Sequence, residues 1–321
     1  MENKPITPDS PPPRFDSGIV APPLSAAAPK PAQSRGDVPV LNKMLAILIT
    51  MCVLVTPFIV GLAVFFGGLE ELEETSTLSG VNSQIAESDY FNLEFPSITC
   101  GPSDDEFKTD KQQWLEDWSD CLDESWDTVQ RSAGFNVRDK APKTIAIISA
   151  YGEIDQACQD SSAKIFGSLY CEANDTIYVY TNFISTPAYT LGILFREYAR
   201  VLQTSFSLNS KASYAITALY RDYPNQLISK TEAIRLMGVR VKANAECSAL
   251  GIMQMSGRLD DIYGQAWLES FKNPSVERVA GGYGSKALHE YLAEQVVDQP
   301  NLTMQSCNTW KLADSAMQSN F

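Results

Sequence analysis

The residues best placed to do chemistry are Arg196, Glu197 and Arg200, which lie on a segment with helical periodicity. The segment 191–203 places its apolar side chains on one arc, and Thr186-Pro187 ahead of it supplies a capping hydroxyl and a first-turn proline. Two side chains four residues apart with a glutamate between them have the spacing of His-Glu-x-x-His, where the histidines bind zinc and the glutamate acts as base. Here Arg stands at both His positions, and such a pattern alone is most often an ordinary solvated helix face.

Several other segments have the periodicity of elements that could position this motif. Tryptophans and other apolar residues at three- and four-residue steps predict a helix over 110–131, and we interpret this row as core. Ser229-Lys-Thr-Glu232 is a capping box that begins a long helix reaching residue 255. We predict strands over 144–149 and 176–181 and a last helix over 286–297.

The single histidine of the chain is His289, in the sequence His289-Glu-Tyr-Leu-Ala293. This is half of a zinc motif, with alanine at the second ligand position. We therefore interpret His289 as a lone surface histidine.

The run Met44–Phe66 is free of charge and predominantly apolar over 23 residues. At about 1.5 Å per residue it would span roughly 34 Å, enough for a bilayer core of about 30 Å. Lys43 precedes it and several glutamates follow it, so the positive-inside rule predicts a cytoplasmic tail and an exterior C-terminal part. The prediction is a single-pass protein of the cell membrane. A cleaved signal peptide is disfavoured because the run is long and starts late.

The flanking segments and the charge fit this arrangement. Residues 1–43 are rich in proline and predicted to be a disordered tail, 67–95 are predicted to be an acidic stalk, and 96–321 an extracytoplasmic domain. The tail has five basic and four acidic side chains, a net charge of +1, so the rest of the chain carries about −15 against a total of −14. An acidic exterior part argues against nucleic-acid binding.

Six of the seven cysteines follow the apolar run, an even number as expected in an oxidising compartment. Six cysteines allow 15 pairings. Zinc binding by cysteine is the alternative, but the chain contains no Cys-x-x-Cys pair.

Several separated stretches of the chain resemble the bacterial neutral zinc metallopeptidase family, which is membrane-anchored and has a zincin-like catalytic domain. The resemblance covers roughly residues 114–310. It rests on matching stretches in the same order, which are Tyr170-Cys171, Asn174–Tyr178, Arg196–Gln203, Val239–Cys247, Gly284-Ser285 and Cys307–Thr309. It implies an α+β fold with a small sheet packed on two long central helices. Our preferred disulfides are Cys158–Cys171 and Cys247–Cys307, which leaves Cys100–Cys121.

The departures from the family pattern fall at the metal site. By the resemblance, Arg196 and Arg200 occupy the two His ligand positions, and Lys242 occupies the position of a third, glutamate ligand. Glu197 retains the general-base position. Glu246 matches an Asp that would orient a ligand histidine in related zincins.

These substitutions are incompatible with zinc binding. Zinc takes imidazole nitrogen, thiolate or carboxylate oxygen, whereas arginine has no available lone pair and stays protonated. We therefore predict that zinc is lost, that no other cofactor replaces it, and that Glu197 has no activated water to deprotonate. Our hypothesis is that the basic and acidic side chains replace zinc as a cross-link between the two central helices. The alternative is a decayed site whose Arg and Lys side chains reach water.

The predicted function is a catalytically inactive, metallopeptidase-like module of the cell envelope that binds a protein or peptide partner or acts as a scaffold. One alternative is an active neutral zinc metallopeptidase with a non-standard site. Another is an accessory subunit of a membrane complex.

Overall fold

The computed structural model describes residues 76–135, 144–159, 167–297, 299 and 301–318. All of them belong to the unit formed by Gly68–Phe321. The predicted tail 1–43, the apolar run 44–66 and residues 67–75 of the predicted stalk lie outside the described residues.

The described part is mostly helical with one small sheet. Its strands are β1 (Thr144–Ile148), β2 (Ser168–Cys171) and β3 (Thr176–Tyr180). In chain order its α-helices are α1 (Leu78–Ala86), α2 (Asp104–Thr109), α3 (Lys111–Ser132), α4 (Pro187–Ser205), α5 (Leu208–Asp222), α6 (Lys230–Met255), α7 (Ile262–Lys272), α8 (Val276–Ala280) and α9 (Lys286–Val296).

The helix starts follow from local capping chemistry. Thr186 Oγ1 accepts a hydrogen bond from the Tyr189 N–H at 3.3 Å, and Pro187 occupies the first turn of α4. Ser229 caps α6 in the same way, accepting from the Glu232 N–H at 3.2 Å. Asp110 caps α3. The three helices therefore begin where the sequence predicted.

The sheet has the order β1-β3-β2, with β1 parallel and β2 antiparallel to β3. A short turn joins β2 to β3, and within it Asp175 has φ of 49°, a left-handed conformation that Asp tolerates better than most residues. All four residues of β2 are buried, and α4 packs against this strand. The sheet therefore brings β2 directly beside the Arg196 segment.

The core is built around α4 and α6, which pack along each other. Residues 190–199 of α4 and 243–253 of α6 are buried without interruption, so each helix is enclosed on all sides there. Small side chains such as Ala243, Ala245 and Ala249 allow α6 to be surrounded closely. Any charged side chain in these stretches must find its partners inside the protein.

The predicted fold class included a transmembrane helix, and this part was wrong: over the residues that the structure describes, no helix combines the length and the apolar character needed to cross a bilayer. The predicted span 44–66 lies outside these residues. The long helices that are described carry buried charges within their central turns, such as Arg196 in α4 and Glu246 in α6. The mostly helical architecture with a small sheet is compatible with an α+β class.

Residues 76–95 belong to the core, in contrast to the predicted stalk. Tyr90, Phe91, Leu93 and Phe95 are buried. The Phe95 N–H donates to the Leu302 carbonyl at 3.1 Å, which pairs this segment with a distant part of the chain. The stalk prediction followed the Glu, Ser and Thr content near residue 75 and gave too little weight to the aromatic residues after it.

The described helices that the sequence analysis did not predict include α5 and α7. Helix α5 buries one apolar stripe that includes Leu208, Ile216 and Leu219. Helix α7 begins at Asp261, which accepts from the Gly264 N–H at 2.7 Å. Asp261 is the N-cap of α7, immediately before its first helical residue.

Within the described ranges the structure has three disulfides, and they are the predicted pairs. Cys100–Cys121 attaches the segment before α2 to α3, and Cys158–Cys171 attaches a short 3₁₀ helix to β2. Cys247–Cys307 joins the enclosed part of α6 to a residue 60 positions later. Such bonds are typical of an oxidising, extracytoplasmic environment.

Candidate functional site: a buried ion-pair network beside a cleft

Arg196 joins three elements through one guanidinium group. It is only 5% exposed, although arginine is rarely buried without partners. Its Nε donates to Glu197 Oε1 at 2.9 Å, one terminal nitrogen donates to Glu246 Oε1 at 3.2 Å, and the other donates to Ser168 Oγ at 2.6 Å. These contacts connect α4 to α6 and to β2.

Glu197 is fully buried, at 0% exposure, and both of its oxygens are engaged. Oε1 accepts from Ser168 Oγ at 2.7 Å and from Arg196, while Oε2 accepts from the Tyr170 N–H at 3.0 Å and lies 3.3 Å from Arg200. Burial raises the pKa of this carboxyl, but Arg200, Arg196 and the Ser168 hydroxyl outweigh burial and hold the pKa below its ordinary value. Glu197 is therefore an ionised, fully bonded structural anion.

Glu246 is the second carboxylate of the site and bridges two arginines. Its Oε1 faces Arg196, and its Oε2 lies 2.6 Å from a terminal nitrogen of Arg278 on α8. Burial opposes ionisation, yet Arg278 and Arg196 together lower the pKa of Glu246 to about 2. We call Arg196, Glu197, Arg200, Glu246 and Arg278 the ion-pair network.

Tyr283 lies close to four basic side chains of the site. Its hydroxyl accepts from Arg200 at 3.0 Å, and Lys242 Nζ lies 5.1 Å from its ring centroid. The guanidinium carbons of Arg196 and Arg278 lie 5.7 and 5.6 Å from the same centroid. These distances are within the range of cation–π attraction, about 6 Å.

The structure brings together four of the predicted site residues, Arg196, Glu197, Arg200 and Glu246. Lys242 lies at the edge, where its Nζ donates to the Gly281 carbonyl at 2.8 Å. That these are degenerate metal-ligand positions stays a prediction. Within the described parts of the chain, no three His, Cys, Asp or Glu side chains come together as a group that could hold a metal ion.

The prediction that His289 is a surface residue was wrong. Its ring is fully buried beside Phe271, with ring centroids 4.7 Å apart, and its Nε2 lies 2.8 Å from the Tyr283 carbonyl oxygen. Burial lowers the pKa of His289, with Glu246 acting in the opposite direction. The helical periodicity of α9 put His289 on the inner face next to Leu288 and Leu292, a signal we did not use.

Ser168, Arg278 and Tyr283 belong to the site but were not found from the sequence. They come from a strand, a short helix and a turn that are far apart in the chain. The Ser275 cap before Arg278, which accepts from the Arg278 N–H at 3.3 Å, was the available local signal for α8. That signal marks a helix start and carries no information about the partner of the Arg278 side chain.

A second polar centre lies deeper between α4 and α6. Asn244 is fully buried, and its Oδ1 accepts from Gln203 Nε2 at 2.6 Å and from the Tyr90 hydroxyl at 3.1 Å. Its Nδ2 donates to the Cys307 carbonyl at 2.8 Å. This residue therefore holds four segments in register without any charge.

A cleft of about 330 Å³ opens over the network. Its polar floor includes Arg196, Glu246 and Arg278. Its aromatic walls are formed by Phe183, Tyr189, Trp267 and Phe271. The arrangement can bind a charged group next to an apolar one.

The comparisons with known proteins add no family to this description: no protein-family model, curated protein or solved structure matches the chain.

Proposed function

We propose that this chain is a non-catalytic, extracytoplasmic binding module, a metallopeptidase-like domain in which the ion-pair network takes the place of a catalytic metal. The observation that carries the proposal is the state of Glu197. A general base must reach a water or a substrate proton, at about 2.6–3.2 Å. Glu197 is buried and holds four partners on its two oxygens.

The composition of the network supports the same function. A divalent cation beside Arg196 would face guanidinium groups that cannot release their protons. The carboxylates that could bind a metal, Glu197 and Glu246, are already neutralised by arginine. The three disulfides support an oxidising compartment outside the cytoplasm.

The test is a metal and hydrolysis assay on the purified full chain. We expect substoichiometric zinc by elemental analysis after dialysis against zinc, no change in melting temperature with chelator, and no cleavage of a mixed peptide library. Glu197→Gln should lower the melting temperature, because it removes the charge that holds Arg196 and Arg200. Glu172→Gln, an exposed site near the same strand, is the matched control and should leave the melting temperature unchanged.

An active metallopeptidase would give the opposite pattern. Stoichiometric zinc, together with peptide cleavage that Glu197→Gln abolishes and Glu172→Gln leaves intact, would refute the proposal.

A further inference from the structure

We infer that the cleft over the ion-pair network binds a small apolar carboxylic acid, with its carboxylate on Arg278 and its apolar body between the aromatic walls. This inference rests on the proposed binding function and names the ligand class. The ligand chemistry includes both a free organic acid and the C-terminal carboxylate of a peptide.

The ion-pair network carries more positive than negative charge, which favours binding of an anion. Among the described residues of the network, three arginines share two glutamates. The buried His289 adds no positive charge in its neutral form. Excess buried positive charge is costly in a low-dielectric interior, so an anion delivered from the cleft is favoured there.

Arg278 is the group best placed to receive that anion. It lines the cleft, and its side chain is 21% exposed, whereas the side chain of Arg196 is 6% exposed. Glu246 engages one terminal nitrogen, and the buried Nε–H has no acceptor among the described residues. The donor capacity of Arg278 is therefore only partly used, and a guanidinium fork matches a carboxylate.

The aromatic walls of the cleft favour a ligand with an apolar body. Trp267 and Phe271 lie beside each other with ring centroids 5.8 Å apart, and Tyr189 faces the same cleft from α4. Gly192 lies one helical turn before Arg196 and lets the Trp267 indole lie directly against α4. The volume of about 330 Å³ is at the lower end of the range of small-molecule sites, about 300–1,000 Å³.

The rim of the cleft contains one acidic side chain, Glu277, and its charge does not neutralise the positive charge of the cleft floor. Glu277 is exposed to water, where its charge is screened, and hydrogen bonds at the start of α8 lower its pKa. A carboxylate that enters between the aromatic walls reaches Arg278 in a drier environment, where the attraction is stronger.

The experiment is calorimetric titration of the full chain with 3-phenylpropanoate and with its neutral isostere 3-phenylpropanamide. We expect the acid to bind at least tenfold more tightly than the amide. Arg278→Gln should weaken acid binding at least tenfold, and Arg278→Lys by a smaller factor because the charge is kept without the fork. Arg235→Gln, an exposed arginine on α6 paired with Glu232, is the matched control and should change nothing.

A third ligand, the tripeptide Gly-Gly-Phe, separates the two sources of the carboxylate. Tighter binding of the tripeptide than of 3-phenylpropanoate assigns the site to peptide C-termini, and weaker binding assigns it to free acids. Equal affinity of acid and amide, no heat from the acid at its solubility limit, or an unchanged affinity in Arg278→Gln would overturn the inference. If Arg278→Gln fails to fold, the acid–amide comparison on the natural sequence and on Arg278→Lys decides.

Failure here is distinguishable from failure of the proposed function. A protein that binds no acid but also holds no zinc and cleaves no peptide loses only this inference. A protein that holds zinc and cleaves peptides loses the proposed function.

Discussion

Arg196 ties helix α4 to two neighbouring elements through a single side chain. At this position a neutral imidazole could bind a metal, whereas a guanidinium can only donate hydrogen bonds. The structure gives Arg196 acceptors on α4, α6 and β2. The side chain is therefore a cross-link between elements, which is the role that the sequence hypothesis assigned to the basic cluster.

Removing this cross-link should be costly. We expect Arg196→Ala to lower the free energy of unfolding by about 3–5 kcal/mol, since Glu197 and Glu246 each lose a buried partner. Urea denaturation at neutral pH measures the change. Arg235→Ala, which breaks an exposed pair with Glu232, should cost at most about 1 kcal/mol and serves as the control. Equal effects of the two substitutions would contradict the structural role of Arg196.

The stability should also depend on acid through Glu246. Its folded pKa of about 2 is below the ordinary value of 4.5, so its contribution is fully present above pH 4.5 and is lost as the pH falls toward 2. The shift corresponds to roughly 3 kcal/mol.

Denaturant midpoints measured from pH 6 to pH 2 test this dependence. Glu246→Gln should be less stable at pH 6 and should lose less stability on acidification than the natural sequence. Parallel pH profiles for the two proteins would show that Glu246 is not the titrating group.

At the scale of elements, α4 depends on a close approach that only glycine permits. A Cβ at Gly192 would overlap the Trp267 indole, while a Cβ at Gly238 in α6 would meet no atom within 4 Å. Alanine is a better helix former than glycine by about 1 kcal/mol, so propensity alone would stabilise both substitutions. The overlap at Gly192 opposes this gain.

We therefore expect the two glycine-to-alanine substitutions to change the free energy of unfolding in opposite directions. Gly238→Ala should stabilise the protein by up to about 1 kcal/mol, and Gly192→Ala should destabilise it by about 1–3 kcal/mol through overpacking against Trp267. Thermal and urea unfolding of both variants provide the measurement. A stabilised Gly192→Ala variant would mean that the indole can move away from α4.

The elements differ in how far the sequence predicts them. The starts of α3, α4 and α6 were predictable because a side chain next to the helix decides each of them. The burial of α6 on all sides was not predictable from the sequence. Residues 243–253 are buried on every face, so their apolar residues do not form a periodic stripe. The same enclosure explains the site: the motif spacing identified Arg196 and Glu197, but Ser168 and Arg278 depend on tertiary contacts alone.

At the scale of the molecule, the disulfides close loops of different length. The chain-entropy model predicts that Cys247–Cys307, which spans 60 residues, adds about 4 kcal/mol to the free energy of unfolding. Cys158–Cys171, which spans 13 residues, should add about 3 kcal/mol. Replacing both cysteines of each pair by alanine should reproduce this order in the free energy of unfolding. A larger loss from the shorter loop would show that native contacts around β2 outweigh chain entropy.

The pairing between distant segments also sets a condition on biosynthesis. Arg240 of α6 is buried, and its guanidinium donates to the carbonyls of Thr309 and Leu312 and lies 2.6 Å from Asp314. Asn244 and Leu93 likewise find backbone partners at Cys307 and Met304. A nascent chain that has not yet reached residue 314 therefore leaves the Arg240 and Asn244 side chains of α6 without these partners. The native packing of α6 must therefore await synthesis of the segment that supplies these partners.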